Sequence, residues 1–178
     1  LLKNNKIDFV KSISLNYKDK DYLENNFQII KKKNSYFVEG NSFSINQLIN
    51  NLIKSDNKKI DNLLKNDFKL FVDLKRVYLD KENILQDLNG FVILKDGKVF
   101  KTELKSSFLD NKNVKFTVNT NGREKITTLF SNDAKPFVGR YNFIKGFDEG
   151  SLDFFSIKNE NKSDTTLKIY DFKLKELP

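Results

Sequence analysis

Large apolar residues alternate with Lys, Asp, Asn and Thr through most of the chain from Phe68 onward. Alternation of period two places every second side chain on one face of a strand. Phe68, Leu70, Val72 and Leu74 therefore share a face, with Lys69, Asp73 and Lys75 opposite. The apolar parity then slips to Val77 and Leu79, which predicts a bulge near Lys75 and Arg76. Residues 91–94, the pair Asp96-Gly97 and residues 99–108 predict a hairpin, because Asp-Gly supplies the positive φ values of a type I′ turn. In that register Phe91 and Ile93 lie on one face with Phe100, Leu104 and Phe108. Val114, Phe116 and Val118 continue the pattern into Asn121-Gly122, a second turn signal, followed by a strand through Ile126 to about Phe130. Strict pairing around Asn121-Gly122 sets Phe116 opposite Thr127 and mismatches the apolar faces, which predicts a bulge or a longer loop.

Before Phe68 the pattern is more varied. Ile7, Phe9, Ile13, Leu15 and Tyr17 share odd parity and predict a first strand, and residues 27–30 and 36–38 predict a hairpin around a charged turn. From Ser44 the period changes. Ile45, Leu48, Ile49, Leu52 and Ile53 form a helical stripe behind a Ser44-x-x-Gln47 capping box, and a polar connection fills residues 54–66. Near the C-terminus, Ser131 or Asn132 is placed to cap a short helix carrying Phe137, Val138 and Tyr141, with Pro136 tolerated in its first turn. Gly146 and Gly150 end that helix. Two strands follow, at 151–157 and 165–174, joined by a polar loop. The whole reads as a single β-rich section over residues 1–178: N-terminal strands to 43, helix and connection over 44–66, antiparallel strands over 67–130, and a short helix with strands over 131–178.

Composition narrows the chemistry. At 178 residues the chain is long enough to bury about 70% of its unfolded surface. With no Cys and no His it lacks disulfides, thiolate nucleophiles, Cys-based zinc sites and the commonest general base and metal ligand. No stretch approaches the roughly 18 to 20 apolar residues of a spanning helix, and the absence of an initiator Met predicts a piece of a longer protein, with any anchor outside it. The net charge of +8 is carried almost wholly by Lys, with Arg only at 76, 123 and 140, and is interleaved with acids. Base-edge readout favours the Arg fork, so no nucleic-acid partner is expected. Lys31-Lys32-Lys33 is the one basic run and the only candidate for an anionic-polymer patch. The carboxylate pairs Asp19 with Asp21 and Asp148 with Glu149 fall in predicted turns, where charged neighbours are ordinarily solvated. Ser42 and Ser44 have no His base. The expectation is a non-enzyme without cofactor or metal.

One run of residues carries a resemblance. Ser131-Asn132-Asp133-Ala134-Lys135-Pro136-Phe137-Val138, then Tyr141, Asp148-Glu149-Gly150-Ser151-Leu152, and Ile169-Tyr170-Asp171-Phe172-Lys173-Leu174 through Pro178 resemble a signature of the AsmA-like family of Gram-negative envelope proteins. Upstream, Val38-Glu39-Gly40-Asn41-Ser42-Phe43-Ser44 resembles a second segment of that family. Lys135 and Glu149 stand where the family often has Gly. The resemblance implies a periplasmic protein anchored in the inner membrane by a segment absent from this chain. It also implies a curved, largely antiparallel sheet with one or two short helices, forming an open groove that conducts phospholipid towards the outer membrane.

The residues suit such a groove, since an acyl chain needs only a dry apolar track and each methylene taken from water is worth about 0.8 kcal/mol. The expected lining is Phe68, Leu70, Val72, Phe91, Ile93, Phe100, Leu104, Phe108, Phe116 and Val118, with rim lysines meeting anionic head groups and membrane contact left to regions outside the chain. The same alternation also builds a closed β-sandwich, whose apolar faces cover each other. In that alternative the chain is a structural or assembly module of the envelope that binds a protein partner.

Overall fold

The computed structural model describes residues 2–3, 6–7, 11–46, 67–141, 144–160 and 162–175. A small pair, β1 (Leu2–Lys3) and β2 (Lys6–Ile7), precedes a single ten-stranded sheet. Its strands are β3 (Ser12–Lys18), β4 (Glu24–Lys32), β5 (Ser35–Ser44), β6 (Phe68–Tyr78), β7 (Ile84–Lys95), β8 (Lys98–Phe108), β9 (Asn113–Asn121), β10 (Glu124–Ser131), β11 (Phe147–Asn159) and β12 (Lys162–Leu174). Each strand lies beside its sequence neighbour, so the order runs from β3 at one edge to β12 at the other without crossing over. Every pairing in it is antiparallel except β5 with β6. A parallel step needs a connection of a dozen or more residues, and 45–67 supply it. The helix expected from Ser44 falls on that connection. Ser44 closes β5, and beyond Asn46 the connection lies outside the described residues.

Among the described residues, strands β3 to β12 form one open sheet with no second sheet packed on it face to face, so the closed sandwich is not the architecture they adopt. The short turns gather at one end of the strands: Lys33-Asn34, Asp96-Gly97, Gly122-Arg123 and the step from Asn159 to Lys162. We call this the tight-turn rim. Longer connections gather at the opposite end, the loop rim, together with the short helix α1 (Lys135–Tyr141).

Most of the buried core sits towards the loop rim. Phe27, Leu74, Val77, Leu79, Leu85, Phe108 and Val114 form one cluster, with Phe27 and Phe43 edge to face at 4.8 Å. Leu74 and Val77 are both buried while Lys75 and Arg76 are both exposed, so the parity slip on β6 is real. Its counterpart on β7 is Asp87, whose φ of 50° marks the irregularity between Gln86 and Asn89. Asn25, fully buried, is satisfied on both ends: its amide donates to Leu23 O at 3.0 Å and its Oδ1 accepts from Ser44 N at 2.8 Å. This pins β4 to β5 beside their own bulge at Asn26 and Phe27.

Helix α1 is too short to stand alone and is held by packing. Ala134 and Val138 are buried with Phe147 and Leu152, and Phe137 meets Phe108 edge to face at 6.2 Å. The cap differs from expectation. Ser131 ends β10 and bonds the backbone of Asp133; the Asp133 carboxylate accepts from Lys135 N at 3.0 Å, and the Ala134 carbonyl accepts from Val138 N at 2.9 Å. A one-residue displacement of this kind is invisible in sequence because Ser, Asn and Asp all favour the position.

Asp148 ties the helix to two strands, accepting from Lys135 Nζ at 2.7 Å and Lys175 Nζ at 3.0 Å. Lys135 first, and Lys175 after it, hold the carboxyl at about 2, below its ordinary 3.8. Folding therefore favours the ionised carboxylate. Its contribution is complete above pH 3.8 and is lost as the pH falls through about 2. Asp148→Asn is expected to lower the melting temperature at neutral pH, and the gap to wild type should close between pH 3.8 and about 2. A gap unchanged at still lower pH would show that the carboxylate charge is not what acts.

Candidate functional site

Residues paired across adjacent strands share a face, so the registers can be followed from one edge of the sheet to the other. Starting at Ile13, the partners run Ile29, Val38, Val72, Gly90, Leu104, Phe116, Leu129, Phe154 and Leu167. Every position is apolar or glycine. Nine inter-strand steps of about 4.8 Å make this row about 43 Å long, perpendicular to the strands. In a sandwich such a row would be buried under a second sheet. Here its seven interior side chains are only half-buried, and Ile13 and Leu167 at the edges are 40% and 43% exposed.

The row is bordered differently on its two sides. Towards the loop rim lie Phe27, Leu74 and Leu88, and then Leu152 and Ile169 beneath α1. Towards the tight-turn rim the neighbouring row reads Tyr36, Leu70, Val92, Thr102, Val118, Thr127, Ser156 and Thr165. It is apolar on β5–β7 and becomes rich in hydroxyls on β8–β12. Beyond it, Lys125 on β10 pairs with Thr120 on β9 and with Lys158 on β11.

Eight of the ten residues expected to line a track share this face. Val72, Leu104 and Phe116 are in the row itself, Leu70 and Val118 flank it, Phe68 and Phe100 lie near the tight-turn rim, and Phe108 is buried towards the loop rim. Phe91 and Ile93 do not. They pair with Glu103 and Lys101 on β8 and with Phe71 and Lys69 on β6, which places them on the opposite face. The Asp96-Gly97 turn forms as expected, with φ of 49° and 71°, but a bulge between Ile93 and Leu94 inserts Phe100 and reverses the parity. On that opposite face Phe37 stacks on Phe71 at 4.9 Å, and Lys69 lies over Phe71 and Phe91 at 4.4 and 5.1 Å.

The second turn departs the other way. Gly122 and Arg123 are its central residues, not Asn121 and Gly122, so Phe116 pairs with Leu129 and no bulge is needed. Gly122 at φ 58° takes the first central position, where a type II′ turn wants glycine. The members at Ile13, Ile29, Val38, Leu129, Phe154 and Leu167 were not singled out from sequence. Their parity was visible strand by strand, but only strand order joins them into one row.

The other sequence candidates are dispersed. Lys31 pairs with Tyr36 on the apolar face, Lys32 lies over the Phe37 ring at 4.6 Å on the opposite face, and Lys33 is a turn residue, so the basic run makes no single patch. Asp19 Oδ1 accepts from the backbone of Asp21 and Leu23, closing a turn, and Glu149 pairs with Lys173 at 2.9 Å. Among the described residues no group of three or more acidic side chains is placed to hold a metal ion, and no helix is long and apolar enough to cross a membrane. No protein-family model, curated protein or solved structure matches this chain.

Proposed function

We propose that this chain is a non-enzymatic section of a periplasmic lipid-conducting protein, and that the edge-to-edge apolar row is the floor of a groove along which phospholipid acyl chains lie. The carrying observation is the row itself: ten consecutive strands each contribute an apolar side chain or glycine at the same level, and those side chains are only partly buried. A core residue has no reason to stay uncovered, whereas a surface of this length exposed to water is costly unless something apolar occupies it. An acyl chain of about 16 carbons gains on the order of 10 kcal/mol from such a surface before ordering costs. The resemblance of residues 36–178 to AsmA-like proteins supports the same reading, including the inner-membrane anchor and delivery towards the outer membrane. Among the described residues the edge strands β3 and β12 each have one side unpaired in the sheet, which suits a section that continues into further strands.

The test is photo-crosslinking in cells. Probes at Phe100 and Phe116, on the apolar face, are expected to capture phospholipid well above probes at Lys101 and Lys115, which pair with Asn119 and Lys105 on the other face. Equal capture from both faces would refute the groove. The competing reading, an assembly module, draws on the same open edges and predicts a protein partner paired along β3 or β12 with no lipid co-purifying in native mass spectrometry.

A further inference from the structure

The tight-turn rim above β9–β11 differs from the rest of the apolar face. Lys125 and Lys158 are paired neighbours across β10 and β11. Lys125 sits on the apolar face, two residues from Thr127 and four from Leu129 of the row, and is half-buried there. Burial, followed by the like charges of Lys158 and Lys98, lowers its ammonium pKa. Beside Lys125 lies a hydroxyl without a partner. Thr120 Oγ1, opposite it on β9, is out of water and accepts or donates no hydrogen bond among the described residues.

Converging cations and an unsatisfied buried hydroxyl are each unfavourable in isolation, and an anion relieves both. What adjoins them on the other side is the apolar row at Leu104, Phe116 and Leu129. A ligand that is anionic at one end and apolar over the remainder matches the sequence lysine, hydroxyl, then Phe and Leu met on moving inward from the rim. We infer that the rim above β9–β11 receives the anionic phosphate head group of a lipid, held by Lys125 and Lys158 with Thr120 as hydroxyl partner, while its acyl chains lie on the row. This inference rests on the acyl-track reading and adds to it a position and a charge for the head group.

The test compares capture of phosphatidylglycerol with capture of uncharged diacylglycerol of the same acyl length, each offered in phosphatidylcholine vesicles and read by native mass spectrometry of the intact chain. Wild type is expected to favour phosphatidylglycerol by about tenfold, the factor that one charge-assisted hydrogen bond supplies. Lys125→Gln/Lys158→Gln should reduce that preference to about twofold or less while keeping diacylglycerol capture, and arginine at the same two positions should restore it. The charge-matched variant Lys101→Gln/Lys115→Gln, on the opposite face, should keep the preference. If the first variant keeps it, or wild type shows none while still taking both lipids, the head-group site is wrong and the track stands. If wild type captures neither lipid, the track fails and the head-group site with it.

Discussion

Glutamate at both Leu104 and Phe116 is expected to abolish lipid capture while leaving the sheet folded. The two residues are direct partners on β8 and β9 near the middle of the row, and both are half-buried. A pair of carboxylates there interrupts the floor at its centre. If each acyl chain is forced off over about four methylenes, the loss at 0.8 kcal/mol per methylene is about 3 kcal/mol, more than a hundredfold in affinity. Because the side chains retain contact with water, the charges are not driven into a dry core, and the fold should survive with near-wild-type circular dichroism. Double substitution of Lys105 and Lys115 by glutamate, paired at the next level on the other face, is the control and should leave capture unchanged. Loss of capture in both variants would mean that net charge, and not interruption of the row, is responsible.

The largest structural effect is expected at Gly90. It occupies the row between Val72 and Leu104 at φ 141°, a conformation open essentially to glycine alone, and a Cβ there would collide with the backbone carbonyl of Glu103 on β8. Gly90→Ala must therefore move backbone, not a flexible side chain. The conformational strain alone is worth about 1–3 kcal/mol, and the displaced β7–β8 ladder adds to it. For a domain of this size, 3 kcal/mol corresponds to a fall in melting temperature of roughly 6–12 °C. Calorimetry of the variant measures this. A fall of a degree or less would mean that the strands separate easily at this point, and that the row has no fixed floor between β6 and β8.

Both expectations rest on registers that the sequence revealed only in part. Alternation at residues 68–74 and the parity slip to Val77 were legible because they are local: a strand repeats every two residues whatever it pairs with. The Asp96-Gly97 turn was legible because positive φ at two successive residues selects few residue types. Phe91 and Ile93 were assigned to the wrong face for a reason equally physical. A bulge beyond the turn inserts one residue, and a shift of one residue exchanges the faces of everything beyond it. Nothing in the composition of residues 98–101 announces it.

Lys125 illustrates the same boundary. Its parity with Thr127 and Leu129 already placed it on the apolar side of β10, yet its significance comes from Lys158 and Thr120, which belong to two other strands. Ala134 and Asp133 took over the capping of α1 from Ser131 and Asn132 because the exit of β10 and the bond from Ala134 N to Gly150 O decide where the helix can begin.

Side-chain period and backbone φ at single positions already implied a β-rich protein, apolar and polar positions alternating along most strands, and where most of the turns fall. The tertiary structure alone decided that the strands join in one open sheet and not two, and that ten apolar positions align from edge to edge. Strand order and register are set by pairings between distant segments, and an alignment across nine interfaces exists only when all nine registers are fixed together.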